Sequence, residues 1–344
     1  MFLKITKEHI KHAEMNEKTK SILNIAELLR THSIIDGGAL AVVGALCITH
    51  TIFDIRILLL LIFGMLYLAW GMGFNEICDV EYDRRTNINK ILVRGDLSIE
   101  KATIITLVVF LISTAIGLYL AHTSLIATSI LVALIISGAG YDLFSKKTAW
   151  AGFLAGAWLF FLILFGAAVA GTPNLLALAI ALYCAFYMVE ACSIQGSIKD
   201  IATDPPANVA VALGSYAYKA GIFDKISIYL SPSFKTLSTI IKASQILILF
   251  YVLTYLLPQL NLASYIVILA LLGASIYTFV KYMGFSSLDQ RESLKRHLTL
   301  SAVFAFSLIG FTLVAFVSVY ELLILLIISL VWLFMWSYLV KGRI

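Results

Sequence analysis

Two aspartate motifs with helical spacing contain the residues of this sequence that are best placed to do chemistry. The stretch NEICDVEYD places Asn75, Asp79 and Asp83 four residues apart, and KDIATD repeats that spacing with Asp200 and Asp204. Residues four apart lie on one face of a helix. Either motif alone is equally consistent with a solvated helix end whose acids form weak surface ion pairs. Converging motifs, in contrast, would repel each other unless a cation lay between them.

Mg²⁺ is the predicted cation, because it prefers oxygen ligands and keeps coordination places for water and phosphate oxygens. Basic residues close to the motifs in the predicted topology favour a phosphate-bearing ligand: Lys90, Arg94, Lys146, Lys199 and Arg30. Each of them alone is consistent with an ordinary cytoplasmic loop residue. As a set beside the aspartates, they predict a site that binds a diphosphate leaving group.

The elements that position these residues are predicted to be membrane-spanning helices. The chain has 344 residues, of which 61% are hydrophobic and 13% charged, a composition typical of an integral membrane protein. Ten segments approach the ~20 apolar residues that span a bilayer. They are 34–52, 56–75, 102–121, 124–141, 150–170, 175–198, 239–258, 262–282, 298–319 and 321–340. Since an open sheet edge cannot satisfy its backbone in lipid, we expect an all-α polytopic bundle of nine to ten helices around a central cavity.

The distribution of basic residues predicts the orientation of the bundle. With the N-terminus inside, the cytoplasmic segments contain all 25 Lys and Arg residues except Arg56, as the positive-inside rule requires. Both aspartate motifs then lie at cytoplasmic helix ends. We therefore expect a multi-pass protein of the cell membrane with its site facing the cytoplasm. The net charge of +5 follows from this topology and requires no nucleic-acid partner.

The ends of the chain and its cysteines suggest a simple organisation. Residues 1–33 are polar and lack the apolar core of a signal peptide, so we expect a cytoplasmic arm. Residues 34–320 would form the bundle, and residues 321–344 an additional helix with a basic tail. The four cysteines lack CxxC or other metal-ligand spacing, which favours buried apolar positions over disulfides.

The paired motifs resemble those of the UbiA superfamily of intramembrane prenyltransferases. NEICDVEYD is similar to the first NxxxDxxxD signature of the family, and KDIATD to its second DxxxD motif. Three further stretches resemble family motifs: YDLFSK at 141–146, KILVRGDLS at 90–98 and VAVALG at 209–214. The resemblance covers about residues 25 to 320. It departs from the family pattern at Lys90, at Ile91 in place of a proline, and at Gly196 or Ser197 in place of an asparagine.

The resemblance implies Mg²⁺-dependent transfer of a polyprenyl group from its diphosphate to a lipophilic acceptor in the membrane. That acceptor would be an aromatic quinone precursor or a glycerophosphate ether lipid. Mg²⁺ and the prenyl diphosphate would be held by Asn75, Asp79, Asp83, Asp200 and Asp204, and diphosphate oxygens by Lys146, Lys90, Arg30 and Lys199. Tyr141 is the aromatic residue expected to face the developing allylic cation. The family usually has nine helices, so the tenth is expected to be a peripheral addition.

Other activities are compatible with parts of the pattern. Terpene cyclisation and transfer of a phosphoribosyl group to a lipid carrier would use the same scaffold. A secondary transporter is less consistent with it, because transporter sites lie near the membrane midplane and these aspartates cluster at one face. Two more acids fall inside apolar segments, where acids are costly and often functional. Asp36 lies within a turn of the cytoplasmic boundary and is consistent with an interfacial residue. Glu190 is a candidate for facing the cavity, where it would orient or deprotonate the acceptor, and the sequence alone does not decide either role.

Overall fold

Helices make up nearly all of the structure, a computed structural model that describes residues 17–86, 88–202, 207–220, 225–257, 260–287 and 291–339. The first half contains α1 (Glu17–Leu28), α2 (Ile34–Thr49), α3 (Ile55–Arg85), α4 (Ile91–Arg94), α5 (Ile99–Ala121), α6 (Leu125–Phe144), α7 (Ala151–Ala170) and α8 (Leu175–Val189). The second half contains α9 (Gly196–Lys199), α10 (Val209–Ala212), α11 (Pro232–Tyr251), α12 (Leu262–Met283), α13 (Arg291–Leu313) and α14 (Val319–Leu339). Two π-helices, Glu190–Gln195 and Val252–Leu256, continue α8 and α11. Strands β1 (Tyr216–Ala220) and β2 (Lys225–Tyr229) form an antiparallel hairpin that pairs Tyr216 with Tyr229.

Nine helices within the described ranges are long and apolar enough to cross a membrane. The apolar helix α2 is shorter, at 16 residues. The predicted all-α bundle of nine to ten membrane helices is therefore confirmed, with the hairpin as an addition, and the chain is a multi-pass membrane protein. Helix α3 has 31 residues and is about 46 Å long at 1.5 Å per residue. Because a hydrocarbon core is about 30 Å thick, α3 extends beyond it and carries the whole of NEICDVEYD in helical form.

Side-chain caps define where five of the long helices begin. Ser98, Ser124, Asn174, Ser231 and Asn261 each precede a helix and accept a hydrogen bond from a backbone N–H in its first turn. Such caps satisfy donors that have no partner within the helix. Ser124, Asn174 and Asn261 lie in short polar stretches between predicted spans, so turn residues in the sequence mark these span boundaries.

Helices α2 and α7 pack with their backbones in direct contact. A Cβ atom placed on Gly44 would lie 1.8 Å from the Ile163 carbonyl oxygen, and one on Gly166 would lie 1.9 Å from that of Ala41. Small residues allow such close approach where the hydrophobic effect does not drive helix association. Helices α2, α3 and α7 therefore form a closely packed centre of the bundle.

Two features of the second half differ from the simplest expectation. Lys242 is among the basic residues predicted to be cytoplasmic, at the start of the predicted span 239–258. It is buried well inside α11, because that helix begins earlier, at Pro232. The outermost helix, α14, contacts α2. Its Glu321 accepts a hydrogen bond from Thr51 Oγ1 at 2.8 Å, and its Trp332 Nε1 donates one to the Thr31 carbonyl oxygen at 2.7 Å.

Candidate active site

A cavity of about 350 Å³ opens where the C-terminal ends of α3 and α6 meet the segment that follows α8. The residues predicted from sequence that line it are Arg30, Asn75, Asp79, Lys90, Tyr141, Lys146, Lys199 and Asp200. Asp204 lies outside the described residues. The cavity therefore joins residues of both aspartate motifs to four basic side chains from separate segments of the chain.

The first motif contributes Asn75 and Asp79 to the cavity wall. Asn75 Nδ2 donates a hydrogen bond to Asp142 Oδ1 at 3.3 Å, and Asp142 is itself buried in the last turn of α6. With its nitrogen used in this way, the Asn75 side chain has its oxygen left for a ligand in the cavity. Asp142 was not predicted as a site residue, although an acid directly after Tyr141, at the end of the predicted span 124–141, was a signal for one.

Asp83 lies elsewhere than predicted. It is 1% exposed and is absent from the cavity lining, and its Oδ2 lies 2.8 Å from Lys90 Nζ. Lys90 Nζ also lies 3.2 Å from Glu76 Oε1, which in turn lies 2.5 Å from Arg30 Nη2. Glu76, which was not predicted as a site residue, therefore holds two cavity cations. Asp83 acts on the cavity through Lys90.

Arg94 is also placed differently from the prediction. Its Nη2 donates to both carboxylate oxygens of Glu27, at 2.7 and 2.9 Å, and its Nε donates to Asp96 Oδ2 at 2.7 Å. Asn24 Nδ2 donates to the Asp96 carbonyl oxygen at 2.9 Å. These contacts attach α1 to the segment after α4, and Arg94 is not among the residues that line the cavity. Arg94 therefore holds helix α1 in place through Glu27.

The described part of the second motif lines the cavity through Lys199 and Asp200 and is supported by Asn208 and Ser197. Lys199 Nζ lies 3.3 Å from Asp200 Oδ2, and both side chains are partly exposed. Asn208, which sequence reasoning missed, lines the cavity and donates from Nδ2 to the Ser197 carbonyl oxygen at 2.9 Å. Ser197 Oγ accepts from the Val209 backbone N–H at 3.0 Å. The helix-capping potential of Asn208, which accepts from Val211 N–H, was the available sequence signal.

Tyr141 and Lys146 form the α6 side of the cavity. The Tyr141 hydroxyl lies 3.8 Å from Cys192 Sγ on the π-helix. Lys146 Nζ lies 4.9 Å from the centroid of the Tyr82 ring, within the range of a cation–π contact. An aromatic side chain and a cation thus lie on the same wall as Asn75 and Asp79.

The cavity offers oxygen ligands of the kind that Mg²⁺ prefers. The carboxylates of Asp79 and Asp200 and the amide oxygen of Asn75 are the candidates. Across the described part of the chain, no group of three or more His, Cys, Asp or Glu residues converges closely enough to hold a metal alone. Mg²⁺ usually takes one or two carboxylates and completes its shell with water and phosphate oxygens. The donor set therefore fits Mg²⁺ bound together with a phosphate-bearing ligand.

Comparison with known proteins identifies the family. A model of the UbiA prenyltransferase family matches residues 39–295. This chain belongs to the UbiA prenyltransferase family. The match includes every predicted residue of the cavity wall except Arg30, and it ends before α14. A sequence comparison with curated proteins gave no match.

Solved structures of UbiA proteins share the fold. A structure of digeranylgeranylglyceryl phosphate synthase has 19% identity and a TM-score of 0.60, covering 85% of this chain and 96% of the other. A UbiA homologue from Aeropyrum pernix K1 has 19% identity and a TM-score of 0.58, covering 83% and 98%. A UbiA homologue from Archaeoglobus fulgidus bound to GPP and Mg²⁺ has 16% identity and a TM-score of 0.55, covering 83% and 99%. The predicted UbiA fold is confirmed.

Glu190, the candidate for facing the cavity, is not among the residues that line it in this UbiA protein. Its carboxylate is fully buried and lies 3.0 Å from Lys242 Nζ. It also accepts hydrogen bonds from Gln245 Nε2, at 2.5 Å, and from the Tyr282 hydroxyl. Its neighbours Ala191 and Cys192 line the cavity instead. Asp36 is exposed in the first turn of α2, as expected of an interfacial residue.

Proposed function

We propose that this protein transfers a prenyl group from a prenyl diphosphate to a lipophilic acceptor and releases diphosphate. The observation that carries the proposal is the convergence of Asn75, Asp79 and Asp200 with four basic side chains on one cavity. Homologues from Archaeoglobus fulgidus bound to GPP and Mg²⁺, and to DMAPP and Mg²⁺, support the same ligand class. A cavity at the ends of membrane helices suits a substrate with a charged head and an apolar tail.

The diphosphate would be bound both through Mg²⁺ and directly by the basic residues of the cavity wall. Asn75, Asp79 and Asp200 would hold Mg²⁺, which when bound neutralises the diphosphate charge and makes it a better leaving group. The four basic residues Arg30, Lys90, Lys146 and Lys199 would contact its remaining oxygens through charge-assisted hydrogen bonds. Glu76 and Asp83 hold Arg30 and Lys90 so that their side chains are in place before the substrate arrives.

The chemical step would be ionisation of the allylic C–O bond. The bonding electron pair leaves with the diphosphate, and the resulting allylic cation is attacked by a nucleophilic atom of the acceptor, which then loses a proton. Tyr141 lines the cavity and is the candidate for stabilising the cation. Burial of the reacting carbon among apolar helices would keep water from capturing the cation.

The membrane orientation belongs to the same proposal. With the cavity at the end of the bundle that carries the basic loops, the positive-inside rule places it at the cytoplasmic face of the cell membrane. Water-soluble diphosphate would then leave to the cytoplasm. The prenyl chain and the acceptor would remain in the bilayer.

The proposal is tested by supplying the purified full-length protein in lipid nanodiscs with Mg²⁺ and a panel of prenyl diphosphates. The acceptors are an aromatic quinone precursor and a glycerophosphate ether lipid in separate arms, with a third arm that has no acceptor. We expect a prenylated acceptor by mass spectrometry in one of the first two arms, dependent on Mg²⁺. A cyclic hydrocarbon without acceptor would instead indicate terpene cyclisation, and no use of any prenyl diphosphate would refute the proposal.

Substitution of Asp79 tests the site within that assay. Asp79→Ala should lower turnover by about 100-fold or more, the order expected when a group that stabilises transition-state charge is lost. Glu81→Gln is the matched control, because Glu81 lies two residues further along α3 and is exposed, with only a surface ion pair to Arg85. Full activity of Asp79→Ala would remove Asp79 from the site.

A further inference from the structure

Helix α14 lies outside the range matched by the family model, yet it reaches the segment that carries a cavity residue. Trp332 Nε1 donates a hydrogen bond of 2.7 Å to the carbonyl oxygen of Thr31. The Trp332 ring packs against the apolar cluster that includes Leu28, Leu29 and Ile34 on either side of that segment. The tenth membrane helix therefore contacts the chain one residue after Arg30.

Arg30 has a backbone conformation that requires support. Its φ is 45°, in the left-handed region that non-glycine residues rarely adopt. Such a conformation is strained and persists only where the surrounding structure holds it. The turn is fixed by hydrogen bonds from Arg30 N to the Glu27 oxygen, at 3.1 Å, and from Ser33 N to the Arg30 oxygen, at 2.9 Å. The Trp332 bond adds a constraint from outside the turn.

The conformation of this turn decides where the Arg30 guanidinium lies. Its Nη2 contacts Glu76 at 2.5 Å, and the side chain lines the cavity beside Lys90. Loss of the Trp332 hydrogen bond would leave the Thr31 carbonyl oxygen without that partner and would let the turn relax. Relaxation at this point would move the guanidinium directly, because Arg30 and Thr31 are adjacent in the chain.

We propose that Trp332 is a positioning residue for diphosphate binding, and that α14 braces the Arg30 turn. The inference rests on the proposed function, since it assigns Arg30 to the diphosphate. It also gives α14 a part in the site in place of the peripheral position expected from the sequence.

The test compares the affinity of full-length variants for inorganic diphosphate in the presence of Mg²⁺. Trp332→Phe keeps an aromatic ring and removes the N–H. We expect about threefold to tenfold weaker binding, the range for one hydrogen bond. Trp336→Phe is the matched control. Its ring pairs with that of Trp332 at 5.9 Å between centroids, and no described residue accepts a hydrogen bond from its Nε1. Its affinity should equal that of the wild type.

A double variant separates positioning through Arg30 from a general structural effect. Arg30→Ala should weaken binding, and adding Trp332→Phe to it should cause no further loss, because the two changes act on one contact. If Trp332→Phe weakens binding by the same factor in the Arg30→Ala background as in the wild type, the inference is overturned. Unchanged affinity in Trp332→Phe alone would also overturn it. If only Arg30→Ala weakens binding, the diphosphate site stands without the brace. If the wild type binds no diphosphate, the proposed function itself fails. Trp332→Leu, which also lacks the N–H, is the second variant if Trp332→Phe folds poorly.

Discussion

Asn75 on α3 donates its side-chain N–H to Asp142 on α6, with Nδ2 and Oδ1 3.3 Å apart. The first residue of the aspartate motif is thereby oriented by an acid from a different helix. An asparagine side chain has one donating and one accepting end, so this contact determines which end is left for the cavity. The oxygen is the end that suits a metal ion.

Asp142→Leu should therefore weaken the use of Mg²⁺ without abolishing turnover. Loss of one hydrogen bond to an orienting partner corresponds to about threefold to tenfold, and we expect the Mg²⁺ concentration for half-maximal activity to rise by that factor. Asp142→Asn keeps an oxygen that can accept from Asn75 and should stay closer to the wild type. Titration of the prenyl-transfer rate with Mg²⁺ measures the effect of each variant. An unchanged titration curve for Asp142→Leu would contradict the orienting role.

Lys90 bridges the buried carboxylates of Asp83 and Glu76, and its removal should destabilise the protein. Lys90→Met leaves both acids without this cation. Breaking a buried ion pair by removing one partner costs about 3–5 kcal/mol of unfolding free energy. That figure is an upper estimate here, because the Lys90 side chain is partly exposed. The melting temperature in nanodiscs should fall clearly. Arg85→Ala breaks only the exposed pair with Glu81. It should change the melting temperature little, since such pairs contribute about 0–1 kcal/mol to stability. Equal melting temperatures for the two variants would argue against the bridge.

Helix geometry explains why the sequence located the first motif and yet misplaced Asp83 and missed Glu76. Each residue turns an α-helix by about 100°. Asp79 is therefore about 40° from Asn75, while Asp83 is about 80° and Glu76 about 100° away from it. A spacing of four residues keeps successive motif residues on nearly the same face of the helix. Over two turns, however, the side-chain direction rotates away from that of Asn75. Asp83 and Glu76 consequently share a face, and both meet Lys90.

Long-range contacts explain what else the sequence did not reveal. The charge bias and the apolar segments were enough to predict the bundle, because membrane spans follow from local composition. That Arg94 pairs with Glu27, and that Trp332 reaches Thr31, depends on segments far apart in the chain. No local pattern marks such pairs.

The buried pair of Glu190 and Lys242 should govern stability and leave the chemistry unchanged. Lys242 Nζ contacts Glu190 at 3.0 Å and also donates to Gln245 Oε1 and Ser275 Oγ, each at 3.2 Å. Lys242→Met alone leaves a buried carboxylate unpaired by its cation and should lower the unfolding free energy by about 3–5 kcal/mol. Adding Glu190→Gln removes the stranded charge, so the double variant should recover much of the melting temperature. Because Glu190 lies away from the cavity, the folded double variant should transfer prenyl groups at a rate close to that of the wild type. A stable double variant without activity would show that Glu190 takes part in the reaction after all.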